Sequence, residues 1–396
     1  MKRKLIWTLA FATLGACLIS GAAAPAHAEY IFGDETKGVK ITQNESDLNI
    51  RLRLQPRFDF GDTIKSKDGS SYASESDLYL RRVRLELGGN LLAKTLSYNV
   101  TLSADKWDAA GGSNANVSLL YAYVRWHADD AVALTAGKEK LPYSRVSLAS
   151  SARQLLVERP VSTEAAKKVF GKTDAYYQPK LAASGKLAEG VFAYEAAVAD
   201  GWQNGDAIQT GRTVFKASPL YAARVELSPP GWVEKSRSDA HLGKGRHLTF
   251  GANVVNQGGI EYKENGFEED RTLLGFDISG HLNGLTAQFE YNAWEVDSTD
   301  PAVGTSKPRG WYAQAGYFID GPNIEPVARY EVYDQNSNAA DKDEKVTTLG
   351  VNWYGKGHSL KVGANWVRHE YGGNASGKLA NADSKDLFQV QAQMYF

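Results

Sequence analysis

The sequence predicts an all-β chain: a transmembrane antiparallel β-barrel of about 16 strands, with one long loop folding inward. Three observations lead there. Apolar and polar residues alternate with period two over most of the chain, the first residues read as an export signal, and Gly, Asn, Asp, Ser and Pro clusters separate the alternating runs.

The chain begins with Lys2, Arg3 and Lys4, continues with an apolar run from Leu5 to about Ser20, and reaches small residues ending Ala26-His27-Ala28. A basic start, an apolar middle and a small-x-small site predict a secretory signal peptide over residues 1–28. Leu14-Gly15-Ala16-Cys17 resembles a lipobox, but the apolar run continues past it through Leu18 and Ile19. Cleavage after Ala28 removes three cations, no acid and the single cysteine, leaving a chain of net charge −4 that no disulfide can hold. With 43% hydrophobic and 23% charged residues, wholesale disorder is excluded. A formal charge of −1 for the whole chain gives no reason to expect nucleic-acid binding.

After a lead-in over residues 29–47, the barrel is expected over 48–396. Leu48, Ile50, Leu52, Leu54, Phe58 and Phe60 share one face of the first run; Asn49, Arg51, Arg53, Gln55, Arg57 and Asp59 share the other. The same alternation recurs from Leu96, Leu248, Leu285, Thr347, Leu360 and Phe388. Leu78 and Leu80 have the opposite parity to Val83, Leu85 and Leu87, which predicts a bulge near Arg81-Arg82. Asn283-Gly284 predicts a tight hairpin, and the stretch from Glu164 to Val169 is the one short helical candidate. No segment past the leader offers 18 apolar residues in a row, so no membrane-spanning helix is expected. A soluble sandwich, apolar inside, shares the alternation. Two things favour the membrane: aromatics at strand ends (Trp294, Trp311, Tyr312, Trp353, Trp366, Tyr395, Phe396), where an interfacial girdle would lie, and the need of hydrocarbon for a sheet without edges.

Several segments, in order, resemble the phosphate-selective porin O/P family of Gram-negative outer membranes. They are Arg81-Arg82-Val83-Arg84-Leu85-Glu86-Leu87-Gly88-Gly89 with Ala93-Lys94 and Ser97-Tyr98 after it; Gly137-Lys138-Glu139-Lys140-Leu141-Pro142-Tyr143-Ser144 with Glu158-Arg159; Gly310-Trp311-Tyr312-Ala313-Gln314; Ala328-Arg329-Tyr330; and Phe388 to the terminal Phe396. The resemblance implies an outer-membrane location among lipid and lipopolysaccharide, sixteen strands, a homotrimer, and passage of small anions, with no particular anion singled out. The C-terminal run ending in Phe396 resembles the signal read by the barrel-assembly machinery.

The expected anion pathway follows the cations. From about Lys138 to Asp174 the alternation stops, and a stretch that long without it is expected to be functional. It carries Lys138, Lys140, Arg145, Arg153, Arg159, Lys167, Lys168 and Lys172 against Glu139, Glu158, Glu164 and Asp174, a net +4. Folded into the lumen, it would concentrate anions. Arg51, Arg53 and Arg57 add a row of guanidiniums on one strand face, about 7 Å apart, and Arg82 and Arg84 share a face on the next strand. Asp59 and Glu86 lie on the same faces, so these arginines are also placed to salt-bridge along the wall. The pathway set is therefore Arg51, Arg53, Arg57, Arg82, Arg84, Lys138, Lys140, Arg145, Arg153 and Arg159. Acidic stretches at Glu261–Asp270 and Asp334–Lys345 fit solvated outer loops.

No G-x-S-x-G, H-E-x-x-H or P-loop occurs, and His127, His241, His247, His281, His358 and His369 show no ligand spacing; His241 and His247, six apart through two glycines, read as a turn. No enzyme, cofactor or metal is expected. The competing functional readings are a porin that is non-selective or prefers cations or sugars, and a secreted soluble β-protein that binds glycan.

Overall fold

The structure is a computed structural model that describes residues 27–31, 38–61, 65–66, 75–107, 117–171, 176–208, 211–373 and 382–396. Its strands are β1 (His27–Ile31), β2 (Gly38–Gln43), β3 (Ser46–Gly61), β4 (Lys65–Ser66), β5 (Glu75–Leu91), β6 (Leu96–Trp107), β7 (Ser118–His127), β8 (Ala133–Lys140), β9 (Tyr177–Leu187), β10 (Phe192–Ala199), β11 (Val214–Lys216), β12 (Leu220–Leu227), β13 (His247–Tyr262), β14 (Glu268–Leu282), β15 (Leu285–Ser298), β16 (Arg309–Tyr317), β17 (Ile324–Asp334), β18 (Asp343–Lys356), β19 (Leu360–Tyr371) and β20 (Ala382–Tyr395). Sixteen of these, all but the short β1, β2, β4 and β11, form an antiparallel ring. The ring closes where β20 pairs β3, Phe388 opposite Phe60 and Tyr395 opposite Arg53. The last residue seals the seam: Leu52 N donates to Phe396 O at 2.6 Å, and Phe396 N to Leu52 O at 3.1 Å. β1 and β2 form a hairpin laid on the first residues of β3. The expected leader lies outside the described residues except for His27 and Ala28, which open β1.

Which medium touches which face follows from parity. On β18, Thr348 and Asn352 are 0% and 1% exposed, whereas Leu349 and Trp353 are 49% and 45% exposed. On β15, Thr286, Gln288, Glu290 and Asn292 are buried and Leu285 is exposed. The apolar face therefore looks outward and the polar face looks into the ring, the reverse of a soluble sandwich and the arrangement a lipid-embedded barrel requires. No second sheet packs on the outer face among the described residues, so the soluble glycan-binding reading has no dry interior to rest on.

Local sequence explains the joints. Leu282 pairs Leu285 across Asn283 (φ 51°) and Gly284 (φ 86°), the two left-handed residues that a two-residue hairpin of right-handed twist requires. The expected bulge is present: Gln55 pairs Arg82 but Pro56 pairs Leu80, leaving Arg81 over. Pro56, which has no N–H to give the ladder, sits opposite that break. Arg81 and Arg82 consequently both face the lumen.

Most turns at one end of the barrel are short, as on the periplasmic side of outer-membrane barrels. The exception is the β12–β13 connection, residues 228–246. The long loop joins β8 to β9 at the opposite end. It starts at Leu141, later than expected, because Lys138 and Lys140 belong to β8. Lys172 and Asp174 lie outside the described residues. Two short helices occur in it, Arg145–Leu148 and Val161–Ala166; the second begins three residues before the expected helical stretch. The aromatic girdle needs correction. Trp311, Trp353 and Trp366 follow the outward parity of their strands, but Trp294, Tyr312 and Tyr395 are buried on the inner face. Residue type suggests a girdle; phase with Gln288, Gln314 and Gln393 puts these three inside.

Candidate functional site

The long loop is held inside the ring by a series of wall-to-loop hydrogen bonds. Ser144 Oγ donates to Glu290 on β15 at 2.6 Å, and Ser144 N to Asn253 Oδ1 on β13 at 3.1 Å. Farther along, Gln393 Nε2 on β20 donates to Ala152 O, Lys361 Nζ on β19 to Gln154 O, Asn352 Nδ2 on β18 to Leu155 O, and Arg329 Nη1 on β17 to Glu158 O, all between 2.6 and 3.1 Å. Val161 N then donates to Glu331 at 2.5 Å. The polar inner face of β13–β20 thus satisfies the backbone of an irregular segment that would otherwise be buried without partners. Leu141, Tyr143, Phe170, Tyr176 and Tyr177 pack with Leu220, Val255 and Leu273 into an apolar cluster at the loop's two ends.

What remains open lies against the other half of the wall. Two adjoining cavities, about 370 and 480 Å³, run between residues 148–153 of the loop and strands β3 to β12, and share Tyr121, Glu139, Lys140, Leu148 and Arg237. The smaller is lined by Arg51, Arg53, Arg84, Lys140, Arg153 and Arg237, with only Glu86 and Glu139 as acids. The larger, toward the short-turn end, balances five Lys and Arg with five acids. Positive charge is therefore concentrated in the smaller cavity.

The ten residues of the expected pathway separate into four groups. Arg51, Arg53, Arg84, Lys140 and Arg153 line the smaller cavity. Arg53 Nη2 donates to Glu86 Oε1 at 2.6 Å and Nη1 to Ser151 Oγ at 2.7 Å, while its guanidinium lies 4.4 Å from the centre of the Tyr395 ring. Arg51 reaches the other Glu86 oxygen at 3.2 Å, and Arg84 reaches Asp105 at 3.1 Å. Lys140 differs: its Nζ donates to Leu148 O and Ala149 O at 3.2 and 3.1 Å. Among the described residues, these two carbonyls rather than a carboxylate hold the ammonium.

Arg57 and Arg82 form a second group with Arg81, all three gathered on Glu158. Burial alone would raise the Glu158 carboxyl, but Arg81, Arg82 and Arg57 outweigh it and hold it well below the usual carboxylate range. The third group is structural. Arg145 forks onto Glu234 with two bonds of 2.9 Å, and Arg159 donates to Val146 O and Ala149 O. The fourth is Lys138, which shares the outward parity of exposed Leu134 and donates to Leu119 O at 2.8 Å. It does not face the lumen.

Three contributors lie outside the expected set. Arg81 is turned inward by the bulge. Arg125 pairs with Glu139 at 2.8 Å. Arg237 arrives from residues 228–246, which fold up into the ring: Asp239 N and Ala240 N donate to Arg153 O, and Gln288 Nε2 on the wall donates to Asp239 at 3.2 Å. The parity break announces Arg81. Nothing in the turn-rich segment after Pro229-Pro230-Gly231 says that it enters the lumen.

A closed barrel, apolar outside and polar within, narrowed by an inward loop, defines an outer-membrane porin, a channel protein and not an enzyme. Residues 50–396 match the family model described as phosphate-selective porin O and P, and the chain belongs to that family. An uncharacterized protein of Aquifex aeolicus (strain VF5) is 38% identical over 392 residues, covering 92% of this chain and 91% of the other. Porin O of Pseudomonas aeruginosa is 24% identical over 421 residues, covering 91% and 92%. Among solved structures, the anion-selective porin from Comamonas acidovorans superposes with a TM-score of 0.64 at 13% identity, covering 89% of this chain and all of that one. The trimer form of OmpT from Vibrio cholerae gives 0.57 at 12%, covering 89% and 100%. At such identities the structural matches establish the fold.

Proposed function

We propose that this porin passes small anions, phosphate-like ones included, by passive diffusion along the open half of its lumen. The observation that carries the reading is the smaller cavity, with two carboxylates against six cations, one of them the Lys140 ammonium bound to carbonyls. An anion meets a row of guanidiniums already partly occupied by Glu86 and Asp105, so each contact is weak enough to leave, as conduction demands. Guanidinium and ammonium donors suit phosphate oxygens, and the phosphate selectivity for which the porin O and P family is named agrees. The same reading includes export by a signal peptide cleaved after Ala28, a homotrimer, and assembly through the C-terminal strand ending in Phe396. The Vibrio cholerae OmpT, similar in fold, has a trimer form.

The competing reading, a porin preferring cations or neutral sugars, draws on the carboxylates that neutralise many of the arginines. Chloride conductance across a planar bilayer, with and without added phosphate, separates the two. Anion passage predicts that phosphate blocks the chloride current and that Lys140→Gln weakens the block by about tenfold, about 1.4 kcal/mol. A current indifferent to phosphate in the unaltered protein contradicts the phosphate reading.

A further inference from the structure

Beneath the constriction lies a polar cluster that the conduction path does not use. Glu234 and His241 come from residues 228–246, and His247 is the first residue of β13. Glu234 Oε1 is 3.5 Å from His241 Nε2. The His241 and His247 ring centres are 4.5 Å apart, and His281 on β14 stacks on His241 at 4.7 Å. One carboxylate oxygen and one ring nitrogen from each of His241 and His247 all lie within 4.8 Å of one another.

Bonds of about 2.0–2.2 Å to a tetrahedral ion place its ligands roughly 3.3–3.6 Å apart. The Glu234–His241 edge already has that length. His241 Nε2 and His247 Nδ1 are buried and make no hydrogen bond. The other His247 nitrogen, Nε2, lies 3.3 Å from Ser279 Oγ, the outer contact that orients a metal-binding imidazole. Glu234 is fixed in turn by Arg145 and by Ser238 N, which donates to it at 2.8 Å. The Arg145 charge opposes cation binding, so the imidazoles must supply the affinity. Two imidazoles and one carboxylate favour zinc, copper or nickel over magnesium or calcium.

We propose that Glu234, His241 and His247 bind one divalent transition-metal ion of the zinc class, which clasps residues 228–246 to the barrel wall. The ion joins the start of β13 to the inward segment and, through Glu234 and Arg145, to the constriction loop. The six-residue separation of His241 and His247 looks like a turn in the sequence because it is one; the turn is what brings the two rings together.

The test uses the full barrel, purified without a polyhistidine tag and shown folded by heat-modifiable gel mobility. Co²⁺ serves as the probe, read by visible d–d absorption and displaced by Zn²⁺. The proposal expects one Co²⁺ per chain with an intense low-coordination spectrum. His241→Ala and His247→Ala abolish it, Glu234→Gln weakens binding by at least about tenfold, and His369→Ala, at the far end of the barrel, leaves it unchanged. Absence of the absorption in the unaltered protein overturns the proposal. So does absorption that persists in a folded His241→Ala, His247→Ala double variant.

Discussion

At the scale of single residues, pairing decides which charges act on a passing ion. The cations are legible from composition: five of the ten expected residues line the narrow cavity. Their partners are legible only in part. Asp59 and Glu86 share strand faces with the arginines and do bind them, Arg57 to Asp59 at 2.6 Å and Arg53 to Glu86 at 2.6 Å. Glu158, seventy or more positions away from Arg57, Arg81 and Arg82 in sequence, is brought to them only by the inward fold of the loop. Its depressed carboxyl stays ionised above its lowered value and titrates only as the pH falls through that value, below the ordinary carboxylate range. Selectivity should therefore stay flat from about pH 8 to about pH 5 so far as this group controls it, which salt-gradient potentials across that range would check. Glu158→Gln should shift the permeability ratio toward anions by removing the carboxylate that Arg57, Arg81 and Arg82 share, at a cost in thermal stability because Arg57 keeps only Asp59 and Arg82 only the Gln55 amide. An unchanged ratio would mean that the cluster lies outside the ion's reach.

At the scale of elements, parity is the reliable signal. It locates the strands, foretells the Arg81 bulge and assigns faces. Where residue type is followed instead, as with Trp294, Tyr312 and Tyr395, the face is missed. Lys138 is missed for a related reason: its charge suggests the loop, whereas it occupies an outward position of β8, opposite Ala122. Single cysteines in the barrel, whose residues 48–396 contain none of their own, make the parity measurable. A membrane-impermeant thiol reagent should modify Asn99→Cys, Tyr123→Cys and Arg125→Cys, whose native residues line the cavities. It should spare Val100→Cys, Val124→Cys and Trp126→Cys on the opposite faces. Gly137 marks a closer constraint. Its φ is 126°, and a Cβ there would run into the Ala122 carbonyl oxygen, so Gly137→Ala should cost about 1–3 kcal/mol and lower the temperature at which the folded gel band disappears.

At the scale of the whole molecule, a barrel of about sixteen strands can be counted from the sequence because each strand must span a fixed thickness of hydrocarbon. The interior cannot. Two inward segments, the constriction loop and residues 228–246, meet through Arg145 and Glu234 and through the Arg153 carbonyl. Neither has an alternating pattern to betray its direction. Together they fill the half of the lumen against β13–β20 and leave the two cavities open beside the basic half. In that asymmetry, net charge over the whole chain says little, since a nearly neutral protein presents six cations to two acids in its smaller cavity. A low-dielectric wall focuses such a field on the ion path. The zero-current potential across a planar bilayer separating two KCl concentrations tests this most directly. Anion selectivity displaces that potential toward the chloride equilibrium value, and less so in Lys140→Gln; displacement toward the potassium value would mean that the carboxylates, not the arginines, govern the pore.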